Sequence, residues 1–145
     1  MYLREQDCGA WLGRTAIKTI TIVGRNISDI PSFYAEINRV MMAEESWKLG
    51  ESLDAFDDLL YGGYGALAGH TDVTLVWQDI ETSKLVLGYE TTRAFLRGKL
   101  GHPEIYNITA INKQLDDLEN GNGRTYFETL VAIIGEHDTV TLVPG

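Results

Sequence analysis

The sequence predicts an α/β fold, in which a small three-stranded parallel sheet is flanked by helices. Segments of strand character lie far apart, at residues 17–23, 73–77 and 139–143. The stretches between them carry apolar residues at helical spacing. A parallel pair of strands needs a long, usually helical and right-handed crossover, and this order of segments provides two. No internal repeat or linker interrupts the pattern, so we expect residues 1–145 to form a single domain.

The first third of the chain supplies one strand and one helix. Residues 17–23 alternate Ile with Thr, which is typical of a strand. Ser28 or Asp29 can cap a helix that runs to about residue 42. Residues 1–16 are mixed and show no clear period, so we expect them to be an N-terminal extension.

The remainder of the chain predicts two more strands and several helices. Residues 73–77 are almost continuously apolar, which favours a buried central strand. Residues 139–143 form the closing strand. Between these strands, apolar residues at helical spacing predict helices at residues 81–87, 91–100, 108–118 and 126–134.

A short acidic helix is the most distinctive stretch. Ser52 can cap it, and Gly62 with the glycine that follows can end it. At 100° per residue, Leu53, Phe56 and Leu60 share one side, with Leu59 at the edge. Like charges at helical spacing cost roughly 0.2–0.5 kcal/mol per pair, and no Lys or Arg lies within the helix, which favours a functional surface. The opposite side carries Glu51, Asp54, Asp57, Asp58 and Tyr61.

Composition narrows the possible partners. The formal net charge is −9, which disfavours nucleic acids and anionic membranes as partners and favours a basic partner or no charged partner. No apolar run approaches the ~20 residues that span a bilayer, and no signal peptide is recognised. The single cysteine, Cys8, cannot form an internal disulfide. We therefore expect a cytoplasmic protein.

Two sequence motifs resemble a known family. Residues 49–62 read Leu-Gly-Glu-Ser-Leu-Asp-Ala-Phe-Asp-Asp-Leu-Leu-Tyr-Gly, and residues 75–84 read Leu-Val-Trp-Gln-Asp-Ile-Glu-Thr-Ser-Lys. The first resembles the inhibitory helix of the barstar family, intracellular inhibitors of a secreted bacterial ribonuclease. The second is similar to that family's strand, Trp and following helix, and residues 139–143 give a weaker third match. The resemblance implies a barstar-like fold, with residues 88–120 as a helical insertion in the second crossover.

The resemblance also implies a binding mode. In the family, the acids that match Asp54 and Asp58 enter the ribonuclease active site and mimic substrate phosphates. We therefore expect a monomeric ribonuclease inhibitor or immunity protein that uses no cofactor or metal. Tyr61 and Tyr64 are expected to replace aromatic residues that the family has elsewhere. The expected ribonuclease-binding residues are Glu51, Asp54, Asp57, Asp58, Tyr61, Gly62, Tyr64 and Glu136.

Two alternatives remain open. One is a metal-dependent hydrolase that uses Asp54, Asp58 and a histidine, either His70 or His137. The other is a non-inhibitory interaction module for a basic partner. Residues 136–138, Glu-His-Asp, are expected to form a turn, because consecutive residues rarely point at one metal ion. The sequence has no nucleophile motif and gives no positive case for an enzyme.

Overall fold

Three parallel strands form the sheet of this protein, for which a computed structural model describes residues 17–145. The strands are β1 (Lys18–Val23), β2 (Val73–Gln78) and β3 (Val140–Pro144). Their order is β1-β2-β3, and both pairings are parallel. The predicted α/β class and three-stranded parallel sheet are confirmed. Residues 1–16, the expected N-terminal extension, lie outside the described residues.

The sheet is buried on one face more than on the other. Ile22, Leu75 and Trp77 are fully buried on the helix-covered face. Thr74 and Val76, which alternate with them along β2, are only half-buried. The predicted central position of residues 73–77 is confirmed, because β2 lies between β1 and β3. Full burial is limited to the alternate residues Val73, Leu75 and Trp77, since Val and Thr also suit a strand face that is only half covered.

Six α-helices occupy the connections between the strands in residues 17–145. Asp29 caps the first of them by accepting a hydrogen bond from the Ser32 amide (2.8 Å). Gly88 separates the third helix from the fourth, so the helical pattern after residue 81 stops and restarts rather than continuing. The helices are α1 (Ile30–Met41), α2 (Leu53–Leu60), α3 (Ile80–Val86), α4 (Tyr89–Lys99), α5 (Ile108–Glu119) and α6 (Tyr126–Gly135).

An aromatic cluster links the sheet to the acidic helix. Phe33 on α1 stacks on Trp77 of β2, with 5.8 Å between ring centroids. Phe33 also meets Phe56 of α2 edge-on, with 5.5 Å between ring centroids. All three rings are fully buried. Because burial of each ring contributes about 1.5–3 kcal/mol, this cluster fixes α2 against the core.

Residues 88–120 are helical, as predicted, and contain α4 and α5 with a short connection. Buried side chains between these two helices form a second hydrophobic cluster, of Leu96, Ile111, Leu115 and Leu118. Phe95 packs against both clusters, and its ring lies 5.3 Å from that of Tyr126 on α6. None of the helices found in residues 17–145 combines the length and apolarity needed to cross a bilayer.

Candidate functional site: the acidic helix and its surroundings

The acidic helix has the predicted boundaries. Ser52 caps α2, its Oγ accepting a hydrogen bond from the Ala55 amide (3.1 Å). The apolar side differs from the prediction, because Leu59 is fully buried and Leu53 is only half-buried. α2 packs against α6 and against the turn that follows α2 itself. Its buried side is therefore rotated toward Leu59.

A compact turn fixes the residues after α2. Gly62 has φ of +83°, and its amide donates to the carbonyl of Leu59 (3.1 Å). Gly65 has φ of +72°, and its amide donates to Glu45 Oε2 (2.8 Å). A side chain at Gly65 would place its Cβ 2.8 Å from the Met41 carbonyl oxygen. The loop of residues 61–70 is therefore tightly turned, and the backbone around its tyrosines is fixed.

Asp54 and Asp58 are both exposed and stand one helical turn apart. Within residues 17–145, no Lys or Arg nitrogen lies within 4.0 Å of either carboxylate. The Asp58 carboxylate lies close to Tyr64: burial, and after it the charge of Asp58, raises the pKa of the Tyr64 hydroxyl. The structure thus places the two principal predicted residues, with a tyrosine beside one of them, on an accessible surface.

Asp57 differs from expectation. Rather than standing free in the acidic row, it is half-exposed, and its Oδ1 lies 2.7 Å from His137 Nε2. The ring of His137 also contacts the edge of Tyr61, with 4.6 Å between centroids. Because α2 packs against α6, its Asp57 side reaches the connection that follows α6. Residues 136–138 make the predicted turn there, with Glu136 exposed beside the buried histidine.

Aromatic side chains flank the acids. Tyr61 is 74% exposed at the end of α2. Trp47, in the connection before α2, is 46% exposed, and its ring lies 4.8 Å from that of Tyr64. Tyr and Trp are enriched at protein–protein interfaces, because they combine a large apolar area with a polar atom. Trp47 is absent from the binding residues expected from the sequence, although its place just before the acidic helix was a usable signal.

The helical segment of residues 88–120 places a cation beside the N-terminal half of the acidic helix. A cleft of ≈ 390 Å³ is lined by Glu51, Asp54 and Lys99, together with aromatic side chains. The Lys99 ammonium lies over two of those rings. Its Nζ is 4.5 Å from the centroid of Phe95 and 5.1 Å from that of Tyr106. Lys99 therefore offsets part of the negative potential near Glu51 and Asp54.

Glu51 also lies near a buried pair of hydroxyl groups. Tyr34 of α1 and Tyr126 of α6 are hydrogen-bonded through their hydroxyls, at 2.6 Å. Burial, followed by the hydrogen bond to Tyr126, raises the pKa of Tyr34, and the charge of Glu51 raises it further. This pair joins α1 to α6 behind the start of α2.

The described part of the chain contains no group of three or more His, Cys, Asp or Glu side chains that could hold a metal ion. Asp54 and Asp58, the expected metal ligands of the hydrolase alternative, lie one turn apart, and the histidine of the 136–138 turn contacts Asp57 instead.

A scan against models of protein families finds no match for this chain, and a search of curated proteins finds no similar sequence.

Proposed function

We propose that this protein is a barstar-like inhibitor, which binds a basic ribonuclease through α2 and the aromatic residues around it and so occludes the active site. The observation that carries the proposal is the exposure of Asp54 and Asp58 on an anchored helix. Neither carboxylate has a Lys or Arg partner within 4.0 Å in residues 17–145. The inhibitor acts as a cytoplasmic monomer without a cofactor.

The chemistry of a ribonuclease cleft suits such a surface. A cleft that binds a phosphodiester collects Lys, Arg and His side chains, and these cations accept carboxylates as readily as phosphates. Residues four apart on a helix have Cβ atoms about 5–6 Å apart, so Asp54 and Asp58 can meet neighbouring cations. The net charge of −9 speeds the encounter with a basic partner.

The burial of one side of α2 keeps the free-energy cost of ordering this surface on binding low. Phe56, Leu59 and Leu60 are fully buried beneath the acids, and Ser52 caps the helix. Binding therefore orders side chains rather than a whole segment, and each immobilised side chain costs about 0.5–1.5 kcal/mol. Tyr61 provides an exposed aromatic contact at the end of the helix.

The two sequence motifs support the proposal in different ways. Residues 49–62 contain the acidic surface itself. Residues 75–84 contain Trp77, whose Nε1 donates to Ser83 Oγ in α3 (2.9 Å). Both side chains are fully buried. The second motif therefore has a structural role, because this hydrogen bond holds β2 against α3.

The proposal is tested by inhibition of a panel of basic ribonucleases. The wild-type protein is expected to inhibit at least one of them. Asp58→Ala should weaken that inhibition by about 2–5 kcal/mol, or roughly 30- to 5000-fold, because a cation of the enzyme is left without its partner. Asp116→Ala is the matched control, since it removes one exposed Asp from α5 and the same charge.

Three outcomes would contradict the proposal. The first is that no ribonuclease is inhibited. The second is that Asp58→Ala and Asp116→Ala inhibit equally well. The third is tight binding that leaves the ribonuclease fully active, which would support the non-inhibitory interaction module instead.

A further inference from the structure

His137 is a buried polar side chain next to the acidic surface. It is 7% exposed and lies in the turn between α6 and β3. Its Nε2 is 2.7 Å from Asp57 Oδ1, and its ring meets the edge of Tyr61. A buried imidazole thus contacts two neighbouring residues of the surface that we propose binds the partner.

The backbone on both sides of His137 is fixed. Its own amide donates to the carbonyl of Ile134 at the end of α6 (3.1 Å). Its carbonyl accepts from the amide of Val140, the first residue of β3 (3.1 Å). The connection between α6 and β3 therefore fixes the position of the His137 ring. The ring in turn contacts the C-terminal end of α2.

Two properties of α2 indicate that contacts from outside the helix stabilise it. It contains only eight residues, and isolated helices of this length are unstable in water. Its last turn contains no basic residue that could interact with the helix dipole. The contacts of His137 with Asp57 and Tyr61 fall at this end.

We propose that His137 is a positioning residue of the acidic surface. Its neutral imidazole donates a hydrogen bond from Nε2 to Asp57 and supports the ring of Tyr61. The positioning role concerns the free protein, whereas its effect on a partner rests on the proposed function.

The positioning role is tested on the free protein by amide hydrogen exchange at residues 57–62. His137→Leu keeps the bulk of the side chain but removes the donor, and it should speed exchange there roughly tenfold. His137→Gln can place an amide N–H near the position of Nε2, so exchange should stay within about threefold of wild type. Equal exchange in the two variants would overturn the role, as would no change in either.

The effect on a partner is tested with the affinities of His137→Leu and His137→Gln for a basic ribonuclease. His137→Leu should bind roughly three- to tenfold more weakly than His137→Gln, because it leaves Asp57 without the hydrogen-bond donor that positions it. Equal affinities would overturn this part of the proposal.

The two tests fail independently. If no ribonuclease binds, the proposed function fails, but hydrogen exchange still decides whether His137 positions α2. If His137→Leu does not fold, His137→Asn takes its place, because its shorter amide does not reach Asp57. Exchange at residues 57–62 should then be faster in His137→Asn than in His137→Gln, and equal exchange would contradict the role.

Discussion

Glu36 is the residue at which a single substitution tests the packing beneath the acidic helix. It lies on α1 and is only 3% exposed. Its carboxylate accepts hydrogen bonds from the Val23 amide (2.8 Å), from Asn26 Nδ2 (3.0 Å) and from Arg39 Nε and Nη2 (2.8 and 2.6 Å). One side chain therefore ties the end of β1 and the turn after it to α1, whose Phe33 contacts Phe56 of α2.

Glu36→Gln keeps the shape but replaces one acceptor oxygen by an NH2 group. At least one of the surrounding donors then loses its partner, and the remaining bonds lose the charge that strengthens them. Hydrogen bonds to charged groups are worth about 1.5–3 kcal/mol each. The side chain of Arg39 is 55% exposed and stays hydrated, so the loss of its ion pair with Glu36 adds little to the destabilisation. We expect a destabilisation of about 2–3 kcal/mol and a fall in Tm of roughly 6–12 °C.

The pH dependence of this effect has a definite sign. Burial opposes ionisation of Glu36, but the hydrogen bonds from Arg39, Asn26 and the Val23 amide outweigh it and hold the pKa below its usual range. A lowered pKa in the folded state gives stability that is present above the unfolded pKa and is lost as the pH falls through the folded pKa. The difference between wild type and Glu36→Gln should therefore be full at pH 7 and shrink below about pH 4.

Thermal unfolding followed by circular dichroism at pH 7 and in acid measures this difference. Glu44→Gln is the control, because Glu44 is exposed and the described structure shows no hydrogen bond to its side chain. The reasoning is refuted if Glu36→Gln is as stable as Glu44→Gln at pH 7, or if the difference grows on acidification.

Further outcomes follow from the acidic helix and its neighbours. Ser52→Ala should lower the free energy of unfolding in urea by about 1 kcal/mol, and an unchanged midpoint would contradict its capping role. Gly62→Ala should cost about 1–2 kcal/mol in the same assay, because φ there is +83°; a neutral effect would show that the turn relaxes. Lys99→Met should raise the affinity for a basic ribonuclease about two- to fivefold, since it removes the cation beside Glu51 and Asp54; an unchanged Kd would place the partner beyond its influence. Raising NaCl from about 0.05 to 0.5 M should slow association at least tenfold and change dissociation less, and a salt-independent association rate would exclude steering by charge.

Much of the fold could be predicted because its signals are local. The Ile and Thr alternation at residues 17–23, the Ser52 cap and the turn at Gly62 each act within a few residues, and the structure agrees with them. The exposure of one sheet face could not be predicted in the same way. It depends on which helices cover the sheet, and the apolar run at residues 73–77 carries no information about that.

The site shows the same division between local and distant causes. The exposure of Asp54 and Asp58 follows from helical spacing, which is a local property. Asp57 contacts His137, a residue 80 positions away along the chain, and that contact depends on how α6 packs against α2. Helical spacing alone therefore assigned Asp57 to the free acidic row, and it gave no indication that His137 contacts Asp57.

Amide chemical-shift mapping of the labelled protein, titrated with a basic ribonuclease that it inhibits, tests the central claim most directly. We expect the perturbed residues to concentrate in 51–64 and 136–137, around Asp58 and Tyr61, with α5 left unperturbed. Perturbations centred on the half-buried sheet face or on α5, with Asp58 unaffected, would contradict the claim that the acidic helix is the binding surface.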